Sequence, residues 1–167
     1  MIRTTVFTVI LCSAAGILQS ALLSRIAIYQ AVPDLALCIL VFAAYVNGSM
    51  TGQISGFFSG LLLDFMSSAP LGLNCFVRTL VGALAGIKKG AFFLDIFFLP
   101  MILCGLATLI KAAAFFLLHL IFPGTIPAYP LAAPVLWVEL GMNCLSAPLL
   151  FLILKHIKLL KPERGNN

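Results

Sequence analysis

Four ionisable side chains lie inside long apolar runs of this chain: Asp64, Arg78, Lys111 and Glu139. An ionised group in a hydrocarbon interior costs about 2.5–3.5 kcal/mol on insertion scales, so such groups pair with one another or line a cavity. Counted along their own runs, Arg78 and Glu139 lie seven and eight residues from one surface and Lys111 eleven, with Asp64 nearer that surface. Two acids and two bases therefore share one half of the protein and cancel formally. Three chemistries suit them: a charge network that holds helices together or contacts a partner's helices, a proton or ion path, and a polar pocket for a solute. The network is favoured, because no ionisable residue recurs at the spacing of a pathway.

Other chemistry finds little support. His119 and His156 stand 37 residues apart with no carboxylate or cysteine at ligand spacing, so no metal site is expected. The five cysteines (Cys12, Cys38, Cys75, Cys104, Cys144) lie singly in apolar stretches and read as small core- or lipid-facing side chains. There is no Ser–His–Asp set, paired-aspartate pattern, phosphate-binding glycine loop or haem-ligand pair. The expectation is a protein with no catalytic residue and no cofactor, hence not an enzyme.

Composition decides which solvent the fold lives in. Of 167 residues, 62% are hydrophobic and 9% charged, against about 45–50% and about 25% in soluble domains. Too few charges remain to coat a water-facing shell, which excludes a soluble enzyme, and disorder needs the opposite composition. The chain reads as an integral membrane protein with almost no mass outside the bilayer. Its ten basic residues exceed its five acids, but the bases cluster at segment ends. They therefore read as orientation signals and not as a nucleic-acid surface.

Six apolar segments are expected to be helices, over about residues 4–23, 33–46, 50–66, 71–87, 91–122 and 131–154. Together they make one membrane domain, 1–154, followed by a basic tail, 155–167. The first resembles a signal peptide in having Arg3 before it and Ser13, Ala14 and Ala15 within it. It stays apolar past those points, and Leu11 does not suit a lipoprotein signal at Cys12, so an uncleaved helix is expected. Pro100 should mark a kink or an interfacial first turn. No internal repeat is evident.

The second segment poses the main ambiguity. Pro33 suits a first helical turn, and Asp34 beside it complements the helix dipole. The run 35–46 has only 12 residues, or ~18 Å of helix against ~30 Å of hydrocarbon. Asn47-Gly48-Ser49 is a turn signal, and charge supports a break there. With six spans, Arg3, Lys88, Lys89, Lys155, Lys158, Lys161 and Arg164 share one side and only Arg25 falls opposite. With five spans that bias collapses. The positive-inside rule thus favours six helices with both termini cytoplasmic.

Glycines recur four apart at Gly52, Gly56 and Gly60, flanked by Ser55 and Ser59, and again at Gly82 and Gly86. Such stripes let backbones approach closely where lipid removes the hydrophobic drive to associate. Use within the chain is favoured over use against a partner. The tail bases Lys155, Lys158, Lys161 and Arg164 suit anionic lipid at ~1 kcal/mol each, ahead of an acidic protein surface.

The middle of the chain resembles a known family. Pro33-Asp34-Leu35 opens a short span, and a glycine-spaced helix ends in Gly60-Leu61-Leu62-Leu63-Asp64. Ser67-Ser68-Ala69-Pro70-Leu71-Gly72 follows, then Leu80-Val81-Gly82-Ala83-Leu84-Ala85-Gly86. This order resembles the rod shape-determining protein MreD family. The likeness covers residues 33–87; elsewhere it rests on length, span number and the basic tail.

The resemblance implies a non-enzymatic, multi-pass scaffold of the bacterial cytoplasmic membrane. Its expected partner is MreC, with MreB, RodA and its penicillin-binding transpeptidase as the wider complex that builds lateral peptidoglycan. It further implies a fold similar to the S components of energy-coupling-factor transporters. Pro33, Asp34, Asp64, Pro70 and Gly72 match the family pattern and are candidates for partner binding, with the glycine stripe forming or supporting the MreC-facing surface. Arg78 and Lys111 lie outside that pattern. The rival reading is a solute-binding transporter subunit with Asp64, Arg78 and Glu139 as its pocket; a proton-coupled transporter is weaker, for want of a repeat.

Overall fold

The computed structural model describes residues 2–21, 31–67, 69–87, 97–126 and 134–160. They form six helices: α1 (Ile2–Ala21), α2 (Leu35–Asn47), α3 (Ser49–Met66), α4 (Leu73–Ala85), α5 (Phe98–Ile121) and α6 (Pro134–His156), then a 3-10 turn, Lys158–Leu160. No strand occurs among the described residues. Three helices, α1, α5 and α6, are long and apolar enough to cross a membrane; α2 and α4 are shorter apolar helices. The expected extensions at 22–23, 91–96 and 131–133 lie outside the described residues.

Helix α2 is the axis of the bundle. Every residue from Ala36 to Ala44 is buried, as expected of a helix that is apolar on all sides. It packs against each of the other five helices. Asn47 and Gly48 separate it from α3: Gly48 takes φ 99°, a region open to glycine and costly for other residues. Its N–H returns to the Ala44 carbonyl at 2.7 Å. At the same end Asn47 Nδ2 donates to the carbonyls of Ala43 and Leu160, each at 3.1 Å. That bond draws the 3-10 turn onto the foot of α2, with Leu160 only 1% exposed.

The glycines join α3 to α4. A Cβ on Gly52 would strike the Gly82 carbonyl, one on Gly56 the Arg78 carbonyl, one on Gly60 the backbone of Cys75, and one on Gly86 the backbone of Ser49. Rising numbers on α3 meet falling numbers on α4, so the two helices are antiparallel and in backbone contact along their length. The stripe is thus consumed within the chain and does not itself form an outward surface. Helices α5 and α6 pair antiparallel as well: Cys144 Sγ reaches the Met101 carbonyl at 3.4 Å, and further along the pair Thr108 meets Asn143. Pro100 sits in the first turn of α5, where no N–H is needed.

Polar groups are buried beside the apolar core, while large apolar side chains lie outside. Thr8, Ser55, Ser59, Asp64, Arg78, Thr108, Glu139 and Asn143 are buried, while Ile10, Phe65, Phe76, Ile102, Leu120 and Leu145 are exposed. Large apolar side chains outside and polar ones inside require a hydrocarbon solvent.

The α3–α4 contact makes a sharp prediction for thermal unfolding in detergent, followed by circular dichroism. Gly56→Ala should destabilise by about 1–3 kcal/mol, the usual cost of overpacking. Gly141→Ala, with nothing within 4 Å, should be neutral or slightly stabilising. Equal effects of the two would refute the backbone contact.

Candidate functional site at the head of the central helix

The head of α2 does not reach a surface. Thirteen residues span ~20 Å, well short of the ~30 Å hydrocarbon core. Ala31, Pro33 and Asp34 are correspondingly buried. Pro33 lies ahead of the helix, which begins at Leu35, two residues later than expected. Asp34 is the N-cap, with Oδ1 accepting from the Leu37 N–H at 2.9 Å. A cap of this kind satisfies a donor that the helix cannot satisfy itself.

A carboxylate so deep needs cations, and two helices supply them. Arg78 Nη2 of α4 donates to Asp34 Oδ1 at 2.8 Å, and Lys111 Nζ of α5 to Asp34 Oδ2 at 2.9 Å. Lys111 Nζ also donates to Glu139 Oε1 of α6 at 2.6 Å. Side-chain exposure runs from 5% at Asp34 through 8% at Arg78 and 10% at Glu139 to 17% at Lys111. Two anions and two cations leave no net charge. Arg78 Nη1 is buried and has no hydrogen-bond partner among the described residues.

Neutral polar groups extend the cluster. Asn143 Oδ1 of α6 accepts the Asp34 N–H at 2.7 Å, and Asn143 Nδ2 donates to Thr108 Oγ1 of α5 at 2.9 Å. Thr108 Oγ1 in turn donates to the Cys104 carbonyl at 2.8 Å. Each Asn143 polar atom therefore has a fixed partner, and one side chain ties α2, α5 and α6 together. Chemically the arrangement can lock helices: its carboxylates and ammonium are engaged with one another.

Of the four residues expected to form the network, Arg78, Lys111 and Glu139 come together. Asp64 does not join them; Asp34 holds that place. Asp64 ends α3 beside the start of α4 and collects that helix's free donors. Its Oδ2 accepts from the N–H groups of Gly72 and Cys75 at 3.0 and 3.1 Å. Its Oδ1 accepts from the N–H and the side-chain amide of Asn74, both at 2.9 Å. The first N–H groups of a helix have no partner within it, so a carboxylate across them caps α4 and ties its start to the end of α3. Gly72, at φ 93°, starts that cap, and the Leu73 N–H bonds the Pro70 carbonyl at 3.2 Å. The family-pattern residues thus divide between two jobs, Pro33 and Asp34 at the head of α2 and Asp64, Pro70 and Gly72 at the head of α4.

Asn143, Thr108 and Asn74 escaped notice in the sequence because a lone amide or hydroxyl in an apolar run has no spacing signal. Asp34 had one: the shortness of the run after it implied a sunken head. Among the described residues no group of three or more His, Cys, Asp or Glu side chains is placed to hold a metal ion.

Two variants test these assignments by unfolding in detergent. Lys111→Met leaves Asp34 and Glu139 with one cation between them and should cost about 3–5 kcal/mol, the toll of breaking a buried pair. Adding Glu139→Gln restores neutrality and should recover part of that loss, whereas additive losses would refute the coupling. Asp64→Ala should cost about 1–2 kcal/mol as a lost cap, with amide exchange accelerated at residues 72–75.

Comparison with known proteins gives one match. A family model described as rod shape-determining protein MreD matches residues 1–157 of the chain. No curated protein and no solved structure matches it.

Proposed function

The chain belongs to the rod shape-determining protein MreD family, and from that premise we propose that it is a non-catalytic scaffold of the cell-elongation complex. The family has a role in rod shape determination, and the three helices long and apolar enough to cross a membrane suit a membrane protein. Our reading adds that all six helices form one membrane domain, 1–154, with a basic tail, in the bacterial inner membrane. Both termini face the cytoplasm, as the distribution of Lys and Arg favours. A fold like that of transporter S components is part of the same proposal.

The proposed partner is MreC, with MreB, RodA and its penicillin-binding transpeptidase in the wider complex that directs lateral peptidoglycan synthesis. The observation that carries this is the family match over 157 of 167 residues. The site geometry supports it: Asp34, Lys111 and Glu139 are spent on one another and Asp64 on the start of α4, which suits a framework better than a solute pocket. A partner then meets helix faces and turns. The segment leading into α4 is the favoured MreC contact, because Asp64 holds Gly72 at its end while Leu71 and nearby Phe76 project, 70% and 54% exposed. The glycine stripe supports that surface by fixing α3 to α4.

A mild-detergent pull-down of the tagged protein from its own membranes, read by mass spectrometry, tests the proposal. MreC should be recovered, together with RodA or the transpeptidase. Leu71→Asp should reduce MreC recovery several-fold with the unfolding temperature unchanged. Recovery of a transporter's ATPases and coupling subunit in place of MreC would overturn the scaffold reading.

A further inference from the structure

On the outer side of the α5–α6 pair lies a furrow of about 360 Å³, lined by Phe97, Met101, Leu145, Pro148, Leu149 and Leu152. Phe97, Leu145, Leu149 and Leu152 are 63%, 78%, 66% and 46% exposed, so the furrow opens sideways to the hydrocarbon. Pro148 lies inside α6, where its ring removes the N–H that would bond the carbonyl four residues back.

The furrow has a basic end. Residues 145, 149, 152 and 156 follow one another at helical spacing, as do 148, 152 and 155, so Lys155 and His156 continue the same face by one turn. Both are exposed and stand in the last turn of α6. His156 Nδ1–H donates to the Leu152 carbonyl at 2.7 Å, which turns Nε2 away from the helix. Neither residues 97–121 nor residues 140–160 contain an acid, so no carboxylate on these two stretches competes for the two side chains.

We propose that this furrow is a binding site for one anionic phospholipid, with an acyl tail along Met101, Pro148 and Leu152 and the phosphate on Lys155 and His156. An acyl chain is thin, flexible and already present in the surrounding solvent. Charge selects the headgroup, since bases at the end of a membrane-facing groove attract a lipid of net negative charge more strongly than a zwitterion. The site depends on the furrow and its bases and not on the scaffold role.

The test uses the purified full-length protein and phosphatidylglycerol carrying a photoreactive diazirine in one tail, with labelled peptides mapped by mass spectrometry. Label should concentrate on Met101 and on residues 148–152. Unlabelled phosphatidylglycerol should compete about tenfold better than phosphatidylcholine. Lys155→Gln with His156→Gln should abolish that preference, and Leu149→Trp should displace the label, both at an unchanged unfolding temperature. Equal competition by the two lipids, a preference that survives the double substitution, or label spread evenly over the outward faces of α1, α3 and α5 would each overturn the site. Protection of the same peptides by a co-purified protein would overturn it in favour of a protein partner.

Discussion

The bundle depends on a shortfall of length. Helix α2 is buried on all sides, its 13 residues are too few to cross a bilayer, and its head at Asp34 is buried in the protein. A helix head exposes unsatisfied N–H groups and a partial positive charge, and in hydrocarbon neither can be left to water. Asp34 answers both demands and brings a full negative charge to the same depth. Arg78 and Lys111 balance that charge, and Glu139 balances the surplus. The four charged groups follow in sequence from a helix that is too short.

This chain of compensation recruits α4, α5 and α6 to the head of α2. At its foot, Asn47 and the buried Leu160 fasten the C-terminal turn to the same helix. Along its flank α3 and α4 are joined by glycine, in a contact that uses shape and no charge. The division is physical. In lipid, apolar surface alone gives helices no reason to associate, so adhesion comes from close backbone packing and from polar groups denied any other partner. This protein uses the first for the α3–α4 hairpin and the second for its centre.

A framework of this kind suits a family that shapes cells. Most of its polar interior is engaged internally, so the surfaces left to meet other molecules are chiefly apolar helix faces, tight turns and a few bases near the ends of helices. The turn held by Asp64 and the furrow ended by Lys155 and His156 are two such surfaces, one suited to a protein and one to a lipid.

Much was legible without coordinates. Composition alone determined the solvent, because 9% charged residues cannot clothe a soluble fold. The six helices followed from apolar runs and turn residues, which act locally; Gly48 broke α2 from α3 where Asn47-Gly48-Ser49 signalled it. The glycine stripes were visible as close-packing faces, and the order of motifs around residues 33–87 identified the family. Partnership was another matter. Asp64 and Asp34 are both acids near helix ends, and nothing local says which meets Arg78. Three-dimensional packing decides it: Asp64 lies across the start of α4, where backbone donors claim both its oxygens, while the sunken head of α2 sets Asp34 level with Arg78 and Lys111. Depth in a bundle depends on how far each helix slides against its neighbours, so the tertiary structure alone could pair charges 44 and 77 residues apart.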